Sequence, residues 1–196
     1  MQASGTMAHH ITGAPAEPGA PDFDLFVDGS CAHFMAIGAA AVMVERTNTR
    51  VVVSYMGLRG RFVGPATSEL VALLLGFQVH RSVTQSAVET EPRRVRHVRL
   101  HTDSERVLDY LHGHVPTTPE GRKLLPLITL ARAESARHPE VEVVKCHSKR
   151  NEAHSYAINA MRTARDNAAD QLLFTELDAR VYVALNEVEA LTRAVH

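Results

Sequence analysis

Three carboxylates in the sequence lie near the ends of predicted elements, beside small polar residues. Asp28 lies in the first predicted strand, Glu69 in the first turn of a predicted helix, and Asp103 where a later strand runs into a helix. If the first and fourth strands are neighbours, Asp28 and Asp103 meet at their ends and the helix presents Glu69 from the flank. Carboxylates so close repel one another unless a cation lies between them. The pattern therefore predicts a site for Mg²⁺ or Mn²⁺, which prefer oxygen ligands.

Each acid also has a purely structural interpretation. Asp28 is followed by Gly and Ser. An Asp in this position can simply shape a turn. Glu69 can stabilise the helix dipole, and Asp103 can belong to a helix cap. Taken one at a time these roles are the commoner ones, but the three acids in this order on these elements favour a shared site.

The elements that carry the acids alternate between β and α patterns. Apolar runs at 24–31, 36–46 and 51–58 predict three strands, and helical spacing predicts a helix over 67–82 with Thr67 or Ser68 as N-cap. The later elements are a strand at 95–102, helices at 104–112 and 124–138, a strand at 141–147 and a helix at 151–173. An antiparallel meander followed by parallel crossovers indicates an α/β fold with a mixed five-stranded sheet flanked by helices.

Both ends of the chain differ from this middle part. Residues 1–21 are rich in Gly, Pro, Ala and Ser and are predicted to form a disordered tail, which leaves 22–173 as the domain. Apolar residues spaced by three or four over 174–196 predict an amphipathic helix. We expect this helix to dock on its own domain; the alternative is a homodimer formed through it.

Composition limits the function classes. The 196 residues include 21 basic and 22 acidic side chains, so any contact with nucleic acid must come from local patches such as Arg93–Arg96 or Lys149-Arg150. No apolar run is long enough to span a membrane, and no secretory signal is evident at the N-terminus. Two cysteines cannot build a disulfide framework. We therefore expect a cytoplasmic protein.

The acids and their neighbours resemble the motifs of the type 1 ribonucleases H. The matching segments are Val27–Cys31, Ser68–Leu70, Thr102–Ser104, and Lys145–His147 followed by Asn151-Glu152. The resemblance covers roughly Phe23 to Arg165, with the same order of elements. Four motifs in order on the expected elements are far more specific than a lone Asp-Gly-Ser.

This resemblance implies a ribonuclease H-like fold and a phosphodiester hydrolase that cuts the RNA strand of RNA–DNA hybrids with two metal ions, Mg²⁺ or Mn²⁺. It implies that Asp28 bridges both ions and that Glu69 and Asp103 hold the ion at the leaving group. His147 resembles the family's loop histidine, which assists proton transfer or product release. Contacts to nucleic acid are expected from Ser30, Cys31, Thr67, Ser68 and Asn151.

The sequence departs from the family at its fourth carboxylate. Aligned on Ala153 and Ala157, that position holds His154; aligned without a gap on Asn151, it holds Ser155. We favour His154 as a metal ligand, because imidazole binds Mn²⁺ acceptably although it is a poor ligand for Mg²⁺. The neighbouring Glu152 is an alternative substitute.

This departure keeps other functions open. One is a catalytically weakened ribonuclease H-like module that binds nucleic acid or a protein partner. Another is a different nuclease on the same fold, such as a DNA exonuclease, because a fold alone does not determine the substrate.

Overall fold

A computed structural model describes residues 5–10, 23–32, 35–45, 50–60, 64–88, 97–166 and 178–193. The strands within these residues are β1 (Gly5–His10), β2 (Phe23–Ala32), β3 (Ala36–Glu45), β4 (Arg50–Arg59), β5 (Val98–Thr102) and β6 (Val141–Lys145). The helices are α1 (Pro65–Val88), α2 (Glu105–Leu111), α3 (Pro119–Arg122), α4 (Leu125–Arg137), α5 (His154–Asp166) and α6 (Ala179–Arg193), with a 3₁₀ turn, η1 (Ser148–Arg150), before α5.

The strands form one mixed sheet in the order β1-β4-β3-β2-β5-β6. β2, β3 and β4 pair antiparallel, whereas β5 lies parallel to both β2 and β6. The predicted meander with parallel crossovers is therefore confirmed for β2 to β6, and the first and fourth predicted strands are neighbours as expected.

β1 adds a sixth strand at the edge of this sheet. It pairs antiparallel with β4, from Gly5 opposite Tyr55 to His10 opposite Arg50. The prediction of a disordered tail over 1–21 is therefore wrong for residues 5–10, and the other tail residues lie outside the described part of the chain. An open strand edge offers backbone donors and acceptors, so pairing with it does not require the apolar side chains whose scarcity suggested a tail.

Helices cover both faces of the sheet. Alternation along β2 sends Leu25 and Val27 into a large core with α1, α4 and α6, and Phe26 toward a smaller core with Ala153 and Ala157 at the start of α5. Because side chains alternate along a strand, Asp28 belongs to the same face as Phe26. This places the acid on the side of the sheet that α5 covers.

The main helix begins earlier and ends later than predicted. α1 starts at Pro65, so the N-cap prediction of Thr67 or Ser68 is wrong and Glu69 lies beyond the first turn. Proline suits the first helical position because its missing N–H has no helical partner there. The segment 113–126, which reads as a loop in the sequence, contains the short helix α3.

Two glycines let α5 approach the sheet closely. A Cβ added at Gly38 of β3 would lie 2.2 Å from the carbonyl oxygen of Ala157, and one at Gly57 of β4 would lie 2.3 Å from that of Ala160. Any larger residue at either position would push the helix outward. The glycines thus help to set the height of α5, and of His154 at its start, above the sheet.

The C-terminal helix docks on its own domain. Val181, Leu185 and Val188 of α6 are buried in the large core, beside α4. These three residues of the apolar stripe that suggested a homodimer are therefore covered by the chain itself, whereas Leu191 of the same stripe is 44% exposed. None of the helices within the described residues combines the length and hydropathy needed to cross a membrane.

Two valines on α6 test this docking. Val188→Ala should lower the free energy of unfolding by about 2 kcal/mol, because it removes buried methyl groups and leaves a cavity. Val183→Ala on the same helix is the control, since Val183 is 55% exposed and its change should stay within about 0.5 kcal/mol. Urea unfolding measures both; equal effects would mean that α6 is not docked in solution.

Candidate metal centre

The three predicted acids converge at one end of the sheet. Asp28 lies in β2, Asp103 directly follows the parallel neighbour β5, and Glu69 projects from α1. One carboxylate oxygen from each lies within 4.8 Å of the others. The structure therefore contains the convergence of the three acids that the strand order predicts.

Gly29 makes the approach of Glu69 possible. A Cβ at this position would lie 2.3 Å from the carbonyl carbon of Ser68 and 2.4 Å from the amide nitrogen of Glu69. The strand and the start of α1 therefore touch through backbone atoms. The same short distance lets the Gly29 N–H donate a hydrogen bond to the Glu69 carboxylate.

The cluster carries more negative charge than the surrounding protein compensates. Burial, reinforced by the charges of Asp28 and Asp103, raises the pKa of Glu69 to about 8, although the Gly29 hydrogen bond opposes the shift. Burial also raises the pKa of Asp28 against the lowering effect of a hydrogen bond to His154. The Glu69 Oε2 atom is buried without a hydrogen-bond partner. Three carboxylates with an unpartnered buried oxygen fit a divalent cation that prefers oxygen ligands.

His154 is the helix residue that reaches this cluster. Its Nδ1 lies 2.7 Å from Oδ2 of Asp28, while its ring is about half exposed at the start of α5. Of the two residues that the sequence left open for the fourth position, His154 is thus the one in contact with Asp28. Its service as a metal ligand stays a prediction.

Asn151 links the elements that carry the site. Its side-chain NH₂ donates to the carbonyl oxygen of Val27 at 2.9 Å and to Asp103 Oδ1 at 3.4 Å, and its Oδ1 accepts from the Ala153 N–H at 3.2 Å. The side chain is buried and links β2, Asp103 and the start of α5. These contacts make Asn151 a positioning residue of the site, and its predicted contact with nucleic acid stays a prediction.

Two other expected contact residues are also buried. Thr67 and Ser68 have no exposed surface, and the Ser68 hydroxyl donates to the carbonyl oxygen of Pro65 at 2.8 Å. A hydrogen bond to a sugar hydroxyl is therefore not available to them in this structure, because the close packing of α1 against Gly29 covers them. Ser30 and Cys31 are partly exposed at the end of β2, and their contact with nucleic acid stays a prediction.

The loop after β6 carries His147 and Cys146. His147 is exposed and outside the carboxylate cluster; its Nδ1 accepts a hydrogen bond of 3.2 Å from the Lys149 N–H. Burial together with the charges of Asp103 and Asp28 raises the pKa of Cys146 to about 11, so its thiol stays protonated at neutral pH. Cys146 belongs to the motif that was recognised in the sequence, but the motif gives no sign that the thiol lies near Asp28 and Asp103.

Of the two basic patches that the sequence offers for contact with nucleic acid, the structure describes one. Lys149 and Arg150 are exposed on η1, next to His147. The stretch Arg93–Arg96 lies outside the described residues. Lys145, in the same motif as His147, forms an ion pair with Glu105 of α2.

Known structures share this architecture. Ribonuclease H1 of the halophilic archaeon Halobacterium salinarum is 18% identical, with a TM-score of 0.55 over 72% of this chain and 98% of that one. LC11 ribonuclease H1, isolated from compost by a metagenomic approach, is 16% identical, with a TM-score of 0.56 over 74% of this chain and 99% of its own. The chain has a ribonuclease H-like fold.

A second structure of the LC11 enzyme, in complex with an RNA/DNA hybrid, has a TM-score of 0.56 at 14% identity and covers 72% of this chain and 98% of its own. No protein-family model matches the chain, and no curated protein matches its sequence. At such identities the likeness establishes the fold that the sequence motifs implied.

The raised pKa of Glu69 predicts that the metal-free protein loses stability as pH rises. The folded protein keeps Glu69 protonated up to about pH 8, whereas the unfolded carboxyl loses its proton near the ordinary value of 4.5. Between these values the free energy of unfolding should fall by up to about 1.4 kcal/mol per pH unit. Glu69→Gln removes this titration and should flatten the decline.

Urea unfolding in the presence of a chelator, from about pH 5 to about pH 9, measures both slopes. The exposed Glu187 of α6 supplies the matched control, Glu187→Gln, which should behave as the unchanged protein. If Glu69→Gln and the unchanged protein have the same slope, Glu69 does not carry the repulsion.

Proposed function

We propose that this chain is a metal-dependent endonuclease that hydrolyses the RNA strand of RNA–DNA hybrids by a two-metal mechanism. The observation that carries the proposal is the convergence of Asp28, Glu69 and Asp103 within 4.8 Å on a ribonuclease H-like fold. A stability role alone does not account for a cluster of acids in which the neighbouring charges help to raise the pKa of Glu69 and of Asp28.

The carboxylates would hold Mg²⁺ or Mn²⁺ as the resident ions. When bound, such ions supply an activated water and neutralise charge at the leaving oxygen. Asp28 is the natural shared ligand, because it contacts His154 on one side and lies beside Glu69 and Asp103 on the other. Asn151 fixes Asp103, and the Gly29 N–H fixes Glu69, so the chain holds the oxygens in place before substrate arrives.

His147 would exchange protons with substrate or product through its outer ring nitrogen. Because its Nδ1 accepts the Lys149 N–H, a neutral ring carries its proton on Nε2. That nitrogen belongs to an exposed side chain, as proton exchange with substrate or product requires. The adjacent Lys149 and Arg150 would contact phosphate and position the nucleic acid without reading its sequence.

Recognition of RNA would depend on 2′-hydroxyl contacts across the minor groove of the hybrid. The partly exposed Ser30 and Cys31 lie just beyond Asp28 on β2 and are our candidates for such contacts. The binding of a hybrid by LC11 ribonuclease H1, which shares the fold, supports the choice of substrate class.

The pairing of His154 with Asp28 favours a second candidate, a binding module with a weakened metal site. The hydrogen bond with His154 at 2.7 Å lowers the pKa of Asp28 against the effect of burial, which lessens the need for a metal ion there. Calorimetry separates the candidates, because the enzyme requires ions at the acids and the module does not.

A labelled RNA–DNA hybrid incubated in Mg²⁺ or Mn²⁺ should be cut within its RNA strand. Asp103→Asn should reduce the rate at least about a hundredfold, since it removes a ligand charge while leaving an acceptor for Asn151. The exposed Asp109 on α2 provides the control, Asp109→Asn, which should cut normally. Folded protein that cleaves in neither metal and binds no ion by calorimetry would support the module instead.

Restoring the fourth carboxylate tests the place of His154. His154→Asp should raise the rate in Mg²⁺ by about tenfold or more, because an oxygen ligand replaces a nitrogen that Mg²⁺ binds poorly. Ser155→Asp adds the same charge one residue further along α5, away from the contact with Asp28, and should have little effect. A larger gain in Ser155→Asp would assign the fourth position to Ser155.

A further inference from the structure

A second cluster of metal-ligand side chains lies at the opposite end of the sheet from the acids. His80 projects from α1, His138 ends α4, and Glu140 precedes β6. His80 is about three helical turns, or about 16 Å, along α1 from Glu69. Glu140 lies where the parallel strands begin, since its carbonyl oxygen accepts the Val98 N–H at 3.2 Å. The two clusters therefore cannot share an ion.

The ligand atoms of this second cluster have the spacing of a metal coordination shell. His80 Nε2 lies 3.6 Å from Glu140 Oε1, and His138 Nδ1 lies 3.1 Å from the same oxygen. Ligands at about 2.0–2.1 Å from a tetrahedral zinc ion are about 3.3 Å apart, so the two distances lie on either side of the required value. One nitrogen or oxygen from each of the three residues lies within 4.8 Å of the others.

The environment of His80 indicates a missing ligand. Its side chain is 1% exposed, and neither ring nitrogen has a hydrogen-bond partner. Buried polar groups are nearly always paired, because an unpaired one loses its hydration without compensation. A neutral imidazole ring has one nitrogen with a free lone pair, which is the atom that binds a metal ion.

We propose that His80, His138 and Glu140 bind a zinc-class divalent ion that ties α1, α4 and the start of β6 together. Two imidazoles and one carboxylate suit Zn²⁺ or Co²⁺ and disfavour Mg²⁺, which prefers oxygen alone. His138 and Glu140 are partly exposed, which leaves a path for the ion and a fourth position for water.

The surroundings of His138 resemble the outer shell of such sites. Its Nε2 lies 4.0 Å from Glu134, a buried carboxylate that also pairs with Arg81 and Arg137. A carboxylate that accepts a hydrogen bond from the far nitrogen of a ligating histidine orients the ring, and Glu134 would have to move closer than 4.0 Å to do so. The ring also stacks on Phe77, with centroids 5.9 Å apart, which limits its rotation.

Zinc binding to the full-length, metal-free protein tests the proposal. Asp28→Asn serves as the background so that the acidic site does not mask the result, and a chromophoric chelator competes for Zn²⁺. We expect one tightly bound Zn²⁺ that excess Mg²⁺ does not displace, and a Co²⁺ spectrum of tetrahedral type. Glu140→Gln and His138→Asn should each weaken Zn²⁺ binding at least tenfold, while His112→Asn, an exposed histidine at the end of α2, should not.

Thermal unfolding gives a second measurement that is independent of activity. In the Asp28→Asn background, Zn²⁺ should raise the melting temperature with or without the added His112→Asn, because a ligand of the folded state stabilises it, and should raise it much less when Glu140→Gln is added. Glu140→Gln preserves the shape of the side chain, so it remains informative if His138→Asn folds poorly. The proposal is overturned if no stoichiometric Zn²⁺ binds, or if Glu140→Gln binds it as tightly as the unchanged protein.

Discussion

Repulsion among three closely spaced carboxylates, of which Asp28 is buried and the other two are partly exposed, is the constraint on which the rest of the site depends. The chain brings Asp28, Glu69 and Asp103 together although burial and mutual charge make the ionised cluster costly, as the raised pKa of Glu69 shows. Folding must supply that cost from elsewhere, and here it comes from the packed core beneath α1. A site of this kind is costly to ionise in the absence of a compensating positive charge.

The precision of the site comes from contacts between backbones. Gly29 lets α1 touch β2, and Gly38 and Gly57 let α5 lie on β3 and β4. Asn151 then joins the acid after β5 to the start of α5 through three hydrogen bonds. Small residues and one buried amide thus determine where the carboxylates and His154 lie. A side chain at any of these three glycines would meet atoms of the neighbouring helix and force a local shift.

The two ends of the sheet present opposite ligand chemistry. Oxygen ligands with excess negative charge lie where the parallel strands end, and imidazoles with a single carboxylate lie where they begin. α1 spans both ends, with Glu69 near its start and His80 further along the helix. An ion at the histidine end would stiffen the helix that carries Glu69 without competing for the same class of metal.

Local patterns in the sequence were sufficient for the order of β2 to β6, for α1, α2, α4 and α5, and for the three acids, because strand and helix periods and strand-end motifs are short-range signals. The resemblance to ribonucleases H supplied the expected fold. Only the tertiary structure decided that Gly5–His10 pair with β4, that Thr67 and Ser68 are buried, and that Asn151 positions Asp103. It likewise placed His154 against Asp28 and assembled His80 with His138 and Glu140. These outcomes depend on contacts between residues far apart in the chain, whose distances and burial no local pattern encodes.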